Sequence, residues 1–247
     1  MNSDRYLRQI ISDPEFDQEK LATAAVLIVG LGGLGSAASM YLAAAGAGTL
    51  ILCDDDTISS SNLNRQLLYS ETQLGQKKVR IAGGRLSQTN PGTTYIQLNE
   101  HFNRETIISS VKVQLILDCL DNFQSRVELA RFAFNNDIPL VHGAIHGFMG
   151  QMTFFSPGVS ACPVCIAPNS MNQDSMNRKN MNQEDAVTPA VGASAGIIGS
   201  MQALEAIKYF TGLGQLSTNR FVQFNGLSGC FEEIAVEADP CCHVCAG

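Results

Sequence analysis

The stretch that decides the fold is VLIVGLGGLGSAASMYLAAAGAGTLILCDDD, residues 26–56. The apolar run at 26–29 predicts a buried strand, and it ends in a turn built on Gly30, Gly32, Gly33 and Gly35. The small residues of 36–46 predict a helix, and TLILC at 49–53 predicts a second strand that runs into Asp54. Strand, glycine turn, helix, strand and acid is the order of a Rossmann-type unit, with Asp54 nineteen residues beyond Gly35. The glycines admit a phosphate against the backbone, the helix N-terminus supplies unpaired N–H groups, and the acid can hold ribose hydroxyls. Both NAD and ATP satisfy that pattern. The SNLNRQ segment at 61–66, with Asn62, Arg65 and Gln66, tilts the choice towards a triphosphate that is broken, because an arginine and amides beside phosphates neutralise developing charge.

Working outward, the alternation continues. Helices are expected at 77–86, 104–111 and 124–135, and strands at 94–98, 113–117 and 139–141. This rhythm predicts an α/β fold, a doubly wound and mainly parallel Rossmann-like sheet with helices on both faces. From residue 151 the pattern changes: 151–155 and 221–236 read as an antiparallel extension, separated by a loop and a long helix within 190–210. Residues 170–185 are rich in Asn, Met and Gln without an apolar period, and read as a surface loop. One unit over 1–247 is expected, with a nucleotide-binding part at about 20–150 and the loop, helix and antiparallel strands at about 151–247.

Composition excludes several classes. A formal net charge of −7, with no basic tract, argues against nucleic acid as a partner. The first ten residues are polar and do not form a secretory signal. Residues 190–210 are interrupted by Gln202, Glu205 and Lys208, so a buried helix is expected and no membrane span. A cytoplasmic location follows, in which the eight cysteines favour metal binding or reactive thiols over disulfides.

Two CxxC pairs stand out, Cys162 with Cys165 and Cys242 with Cys245. Four thiolates in two tight turns match a tetrahedral structural Zn2+ site, with Cys241 and His243 near enough to compete as ligands. Asp118, Asp121 and Asn122 follow a buried strand at the carboxyl edge of the sheet, where ligands bind. Asp121 is expected to face the nucleotide and bind Mg2+ with phosphate oxygens, while Asn122 or Asp118 ties down backbone. Among Lys77, Lys78 and Arg80 one side chain can reach phosphates, although solvation is the ordinary fate of a helix-start lysine. His142 and His146 are read as structural histidines, and Cys53 and Cys119 as core thiols.

Taken together, these residues resemble the ThiF/MoeB/HesA family, the bacterial relatives of ubiquitin-activating E1 enzymes. The resemblance covers nearly the whole chain. It rests on RYLRQ at 5–9, the glycine turn, Asp54, SNLNRQ, GQKK at 75–78, Asp118 to Asn122, both CxxC pairs and GSMQALEAIK at 199–208. It implies an adenylyltransferase that uses ATP and Mg2+ to adenylate the C-terminal glycine of a ubiquitin-like sulfur carrier ending in Gly-Gly, of the ThiS or MoaD kind, in thiamine or molybdenum-cofactor synthesis. By the same resemblance Asp54 holds ribose, Asn62, Arg65 and Lys78 hold phosphates, Gln66 lies near the site, Asp121 holds Mg2+, and Arg8 reaches the ATP site of a neighbouring subunit in a homodimer. Many relatives place a cysteine in the loop ahead of the long helix. A gapless count back from Gly196 puts Asp185 there, which implies chemistry ending at the acyl-adenylate. That substitution points towards the MoeB type, and the three-aspartate run towards the other. Rival readings are an E1-like enzyme acting on a peptide or small carboxylate, disfavoured by the short segment ahead of Arg5, and a catalytically silent E1-like partner subunit, disfavoured by Arg8, Arg65, Lys78 and Asp121.

Overall fold

The computed structural model describes residues 3–103, 112–166 and 188–246. The helix expected at 104–111, the polar loop at 170–185 and Asp185 with it lie outside the described residues. Eight strands form one sheet in the order β3-β2-β1-β4-β5-β6-β7-β8. The first five, β1 (Ala25–Val29), β2 (Thr49–Cys53), β3 (Thr94–Leu98), β4 (Leu115–Asp118) and β5 (Leu140–His146), pair in parallel. The last three, β6 (Met149–Phe155), β7 (Arg220–Asn225) and β8 (Cys230–Ala235), continue the sheet antiparallel.

The central strands are apolar throughout because both of their faces are covered. Val26, Ile28, Leu50, Leu52, Leu115 and Leu117 point into one core with α3 (Gly33–Ala45), α4 (Lys78–Thr89) and α7 (Gly192–Thr211). Their alternates Leu27, Val29, Ile51, Cys53 and Ile116 point into the other, with α5 (Phe123–Asn135) and with Cys162, Val164, Cys242 and Val244. The short α6 (Pro163–Ile166) carries the first CxxC pair on that second side. At the other end of the sheet the edge strand β8 is exposed along its whole length.

Two boundaries differ from the sequence reading. Helix α3 begins at Gly33, three residues before the expected start, so the last two glycines of the turn, Gly33 and Gly35, already lie in the first helical turn. Glycine is a poor helix former, which hid this start; packing overrides propensity here. A Cβ at Gly33 would lie 2.8 Å from the Ala195 Cβ of α7, and one at Gly199 of α7 would lie 2.3 Å from the Leu34 carbonyl oxygen of α3. Strand β5 also runs on to His146, past the expected end at 141. His142 and Gly143 break the apolar run, but the strand persists because β6 pairs with it from Leu140 to His146.

At the α3–α7 contact, Gly199→Ala is expected to destabilise the protein by about 1–3 kcal/mol, because backbone rather than a mobile side chain blocks the added carbon. Gly196→Ala, one turn earlier on the same helix with nothing within 4 Å of the added carbon, is expected to stabilise it by up to about 1 kcal/mol. Urea unfolding of the two variants checks the opposite signs.

Candidate functional site

A cavity of about 400 Å³ opens at the carboxyl ends of the parallel strands. There β2 and β3 lie on one side of β1 and β4 on the other, the switch point at which open α/β sheets bind ligands. The glycine turn forms its floor. Gly30 has φ +90°, and a Cβ there would lie 2.7 Å from the Cys119 carbonyl oxygen, so only glycine fits. Gly35 is inside the turn rather than on the cavity wall: its Cβ would strike the Gly30 carbonyl oxygen. Gly32 caps α3 with no side-chain hydrogen bond, which leaves the first helical N–H groups and the positive end of the helix open to the cavity. The turn is held rigid through Leu31, whose amide donates to Asp54 Oδ2 at 2.7 Å and whose carbonyl accepts from the buried Tyr69 hydroxyl at 2.9 Å.

Asp54 lies at the end of β2 and also accepts the Asp56 amide through Oδ1 at 2.9 Å. Burial pushes its carboxyl up from the ordinary value, against the pull of Lys78. Each oxygen keeps a second acceptor position for a hydroxyl. Lys78 is not a solvated surface lysine: it is 4% exposed, its Nζ donates to Asp56 Oδ2 at 2.6 Å, and its own amide donates to the Asp56 carbonyl at 3.1 Å. Arg65 and Gln66 come from the 59–74 segment. Arg65 Nη1 is held by the Ser61 carbonyl and Asn64 Oδ1, both at 2.8 Å. Gln66 is buried in the cavity wall, and its Oε1 has no hydrogen-bond partner among the described residues, an orphan that a ligand donor would satisfy.

On the opposite wall, Asp121 follows β4 and exposes its carboxylate to the cavity. Asn122 caps α5 by accepting the Ser125 amide at 2.9 Å, and the buried Asp118 accepts the Leu120 amide at 3.1 Å, so both tie down backbone as their positions imply. Burial works against the charge of Asp118, but Arg126 and His142 outweigh it and hold the carboxyl below its ordinary range. Burial keeps His142 neutral by lowering its own value, and its Nδ1 lies 2.7 Å from Asp118 Oδ2. It is therefore a structural histidine, as its sequence context implies.

Besides Gly35, two expected residues stand outside the lining. Asn62 closes its own turn by accepting the Ser59 amide at 3.1 Å. Arg8 is exposed on α1 (Ser3–Ile10), which docks at the far end of α3: Gln9 donates to the Ala45 carbonyl, and the Tyr6 ring lies under Gly46. A 13-residue helix is roughly 20 Å long, so Arg8 is remote from the cavity of its own chain. The sequence reading missed Asp56, Glu100, His101 and Arg126 as lining residues. Of these, only Arg126 carries a signal, since it follows Asn122 by one helical turn and so shares its face.

On the sheet face that bears α5, the sulfurs of Cys162, Cys165, Cys242 and Cys245 lie within 4.8 Å of one another. The separations are 3.8 Å for Cys162–Cys165, 3.6 Å for Cys162–Cys242 and 3.4 Å for Cys165–Cys245. Four thiolates about 2.3 Å from one Zn2+ would stand roughly 3.8 Å apart, so the donor set and its spacing fit that metal. Cys241 and His243 are not in the group. Cys53 and Cys119 border the cavity, but burial pushes both thiols up, that of Cys53 to about 12, so neither is a ready nucleophile. No helix among the described residues is long and apolar enough to cross a membrane.

The match to known proteins agrees with this geometry. The chain is 39% identical over 246 residues to the molybdopterin-synthase adenylyltransferase of Escherichia coli (strain K12), covering 98% of this chain and 95% of that protein. It is 35% identical over 247 residues to the sulfur carrier protein ThiS adenylyltransferase of the same strain, with the same coverage of 98% and 95%. Among solved structures, E. coli MccB with ATP superposes with a TM-score of 0.85 at 22% identity, over 98% of this chain and 73% of that one, a likeness of fold. The profile of the ThiF family spans residues 5–244, and by that match this chain belongs to the ThiF family.

Proposed function

We propose that this protein is a nucleotidyltransferase that adenylates the C-terminal glycine carboxylate of a ubiquitin-like sulfur carrier ending in Gly-Gly, in thiamine or molybdenum-cofactor synthesis. The observation that carries the reading is one cavity lined by the open N-terminus of α3, Asp54, Arg65, Gln66, Lys78 and Asp121, in a chain similar to a molybdopterin-synthase adenylyltransferase and to a sulfur carrier protein ThiS adenylyltransferase. ATP lies with its phosphates on the turn that includes Gly30, Gly32 and Gly33 and with its ribose on Asp54. The carrier's carboxylate oxygen forms a bond to the α-phosphorus while the bond from that phosphorus to the bridging oxygen breaks, and pyrophosphate leaves. Arg65 and Lys78 neutralise the departing charge, and the Nδ2 of Asn62, which is not used in its own turn, donates to a phosphate. Asp121, with Asn122 beside it, holds Mg2+, which supplies further neutralisation of phosphate oxygens when bound.

Arg8 completes the site of a second copy of the chain, in keeping with its place at the far end of α3 in its own. The four thiolates hold a structural Zn2+. With aspartate at 185, no cysteine of that loop is available to form a covalent link to the carrier, and the chemistry ends at the acyl-adenylate.

ATP–pyrophosphate exchange with carriers ending in Gly-Gly is expected to proceed in the wild type and to fall by at least about a hundredfold in Asp121→Ala. The absence of exchange with every such carrier would sink the reading. Elemental analysis of protein purified without chelator is expected to give about one zinc per chain, lost together with a cooperative thermal transition in Cys242→Ser. For Arg8, homodimers of Arg8→Ala and of Asp121→Ala are each expected to be inactive. After subunit exchange, mixed dimers should recover activity at one of their two sites; no recovery would mean that each site is built within one chain.

A further inference from the structure

We infer that Gln202 and Arg126 are positioning residues that fix the Asp121 carboxylate in the cavity from behind; this rests on the adenylation reading above. Gln202 is fully buried in the middle of α7 and does not line the cavity. Its whole amide is nevertheless committed to the strand ends next to Asp121. Nε2 donates to the Asp118 carbonyl at 2.8 Å and to the Val141 carbonyl at 3.1 Å, and Oε1 accepts from the Cys119 thiol at 3.4 Å. Gly143 makes room for this: a Cβ there would lie 2.5 Å from Gln202 Cδ.

Arg126 approaches the same peptide from α5, on the other face of the sheet. Its Nη2 donates to the Leu120 carbonyl, and its Nη1 donates to the Gly143 carbonyl at 2.8 Å and to Asp118 Oδ2 at 3.3 Å. Asp118 in turn holds the Leu120 amide. The backbone of residues 118–120 is thus gripped from both helical layers, and Gly30 packs against the Cys119 carbonyl. On the far side Asn122 is fixed by its cap on α5. Asp121 is the one residue between these two anchors, and its carboxylate has no hydrogen-bond partner among the described residues. An apolar side chain of equal size would fill the space under α7. The amide of Gln202 adds direction, aiming the end of β4 rather than merely burying it. A carboxylate that must meet a small cation at a fixed distance needs such backing, and outer partners of this kind tune cation affinity without touching the ion.

The test measures ATP affinity of the full-length protein by calorimetry, once in EDTA and once in excess Mg2+. Wild type is expected to bind ATP more tightly with Mg2+, and Asp121→Ala to lose that gain. Gln202→Met and Arg126→Lys should each cut the gain by about tenfold with a cooperative melt retained, and Gln202→Met, outside the lining, should keep its affinity in EDTA within about twofold of wild type. Neither should change it further in the Asp121→Ala background, because partners acting through one group are not additive. The inference is overturned if the Mg2+-dependent gain persists in both variants, if affinity in EDTA falls equally, or if the effects add to that of Asp121→Ala. Should Gln202→Met fail to fold, Arg126→Lys decides alone. A wild type with no Mg2+ gain, or an Asp121→Ala variant that keeps it, would overturn the role of Asp121 itself and the inference with it.

Discussion

The structure depends on how closely the backbone can approach helix α7. Three glycines set that distance. Gly33 in the first turn of α3 meets Ala195, Gly199 meets the Leu34 carbonyl, and Gly192 at the start of α7 lies so near the Asn64 carbonyl that a Cβ would stand 2.4 Å from it. One helix from the back half of the chain therefore seats both the phosphate turn and the segment carrying Arg65 and Gln66. Overpacking by even one carbon at such contacts costs stability and shifts backbone. The cavity is as much a product of α7 as of the glycine-rich unit that faces it.

This division explains what was legible in the sequence. Strands β1, β2 and β4 were read to within a residue or two because their two-sided burial writes an apolar run; β3 also matches the expected 94–98, although it is a half-exposed edge strand with polar residues in it. The start of α3 was hidden because the residues that packing demands there are poor helix formers. The reach of β5 was hidden because it is stabilised by pairing with β6, a contact invisible in local pattern. Of the residues expected at the site, Gly30, Gly32, Gly33, Asp54, Arg65, Gln66, Lys78, Asp121 and Asn122 line one cavity; the glycines, Asp54, Asp121 and Asn122 sit at strand or helix ends where the spacing advertises them, whereas Lys78 was singled out from its neighbours only by resemblance. Arg126 was missed because it lies inside an ordinary helix, and Asp56 because three adjacent aspartates do not reveal which one grips a buried lysine. Asn62, read from the amides of the 61–66 segment, and Arg8, drawn from resemblance, lie outside the lining of their own chain's cavity.

The four-cysteine cluster belongs to the same logic. Its two pairs are 80 residues apart in sequence, and that interval contains α7, β7 and the exposed edge strand β8. A metal ion on the four thiolates would close a loop of that size, which restricts the unfolded chain by about 4.5 kcal/mol on a loop-closure estimate. It would secure the segment on which the phosphate turn and the end of β4 both lean, with none of the four sulfurs lining the cavity.

The charges of the cavity carry the argument one step further. Five acids line it, Asp54, Asp55, Asp56, Glu100 and Asp121, against three bases, Arg65, Lys78 and Arg126. Lys78 is already matched by Asp56 and Arg126 by Asp118, and Arg65 has no carboxylate partner among the described residues. The dipole at the N-terminus of α3 contributes only about half a charge. A triphosphate entering this lining would be repelled unless cations came with it, and a low-dielectric wall makes that repulsion stronger. A divalent ion at Asp121 and an arginine delivered from a second copy are the two sources the proposed mechanism names. With a divalent ion on Asp121 and Arg8 crossing to a second copy, as proposed, the excess of acid would make the site selective for the metal-bound nucleotide and would couple catalysis to assembly.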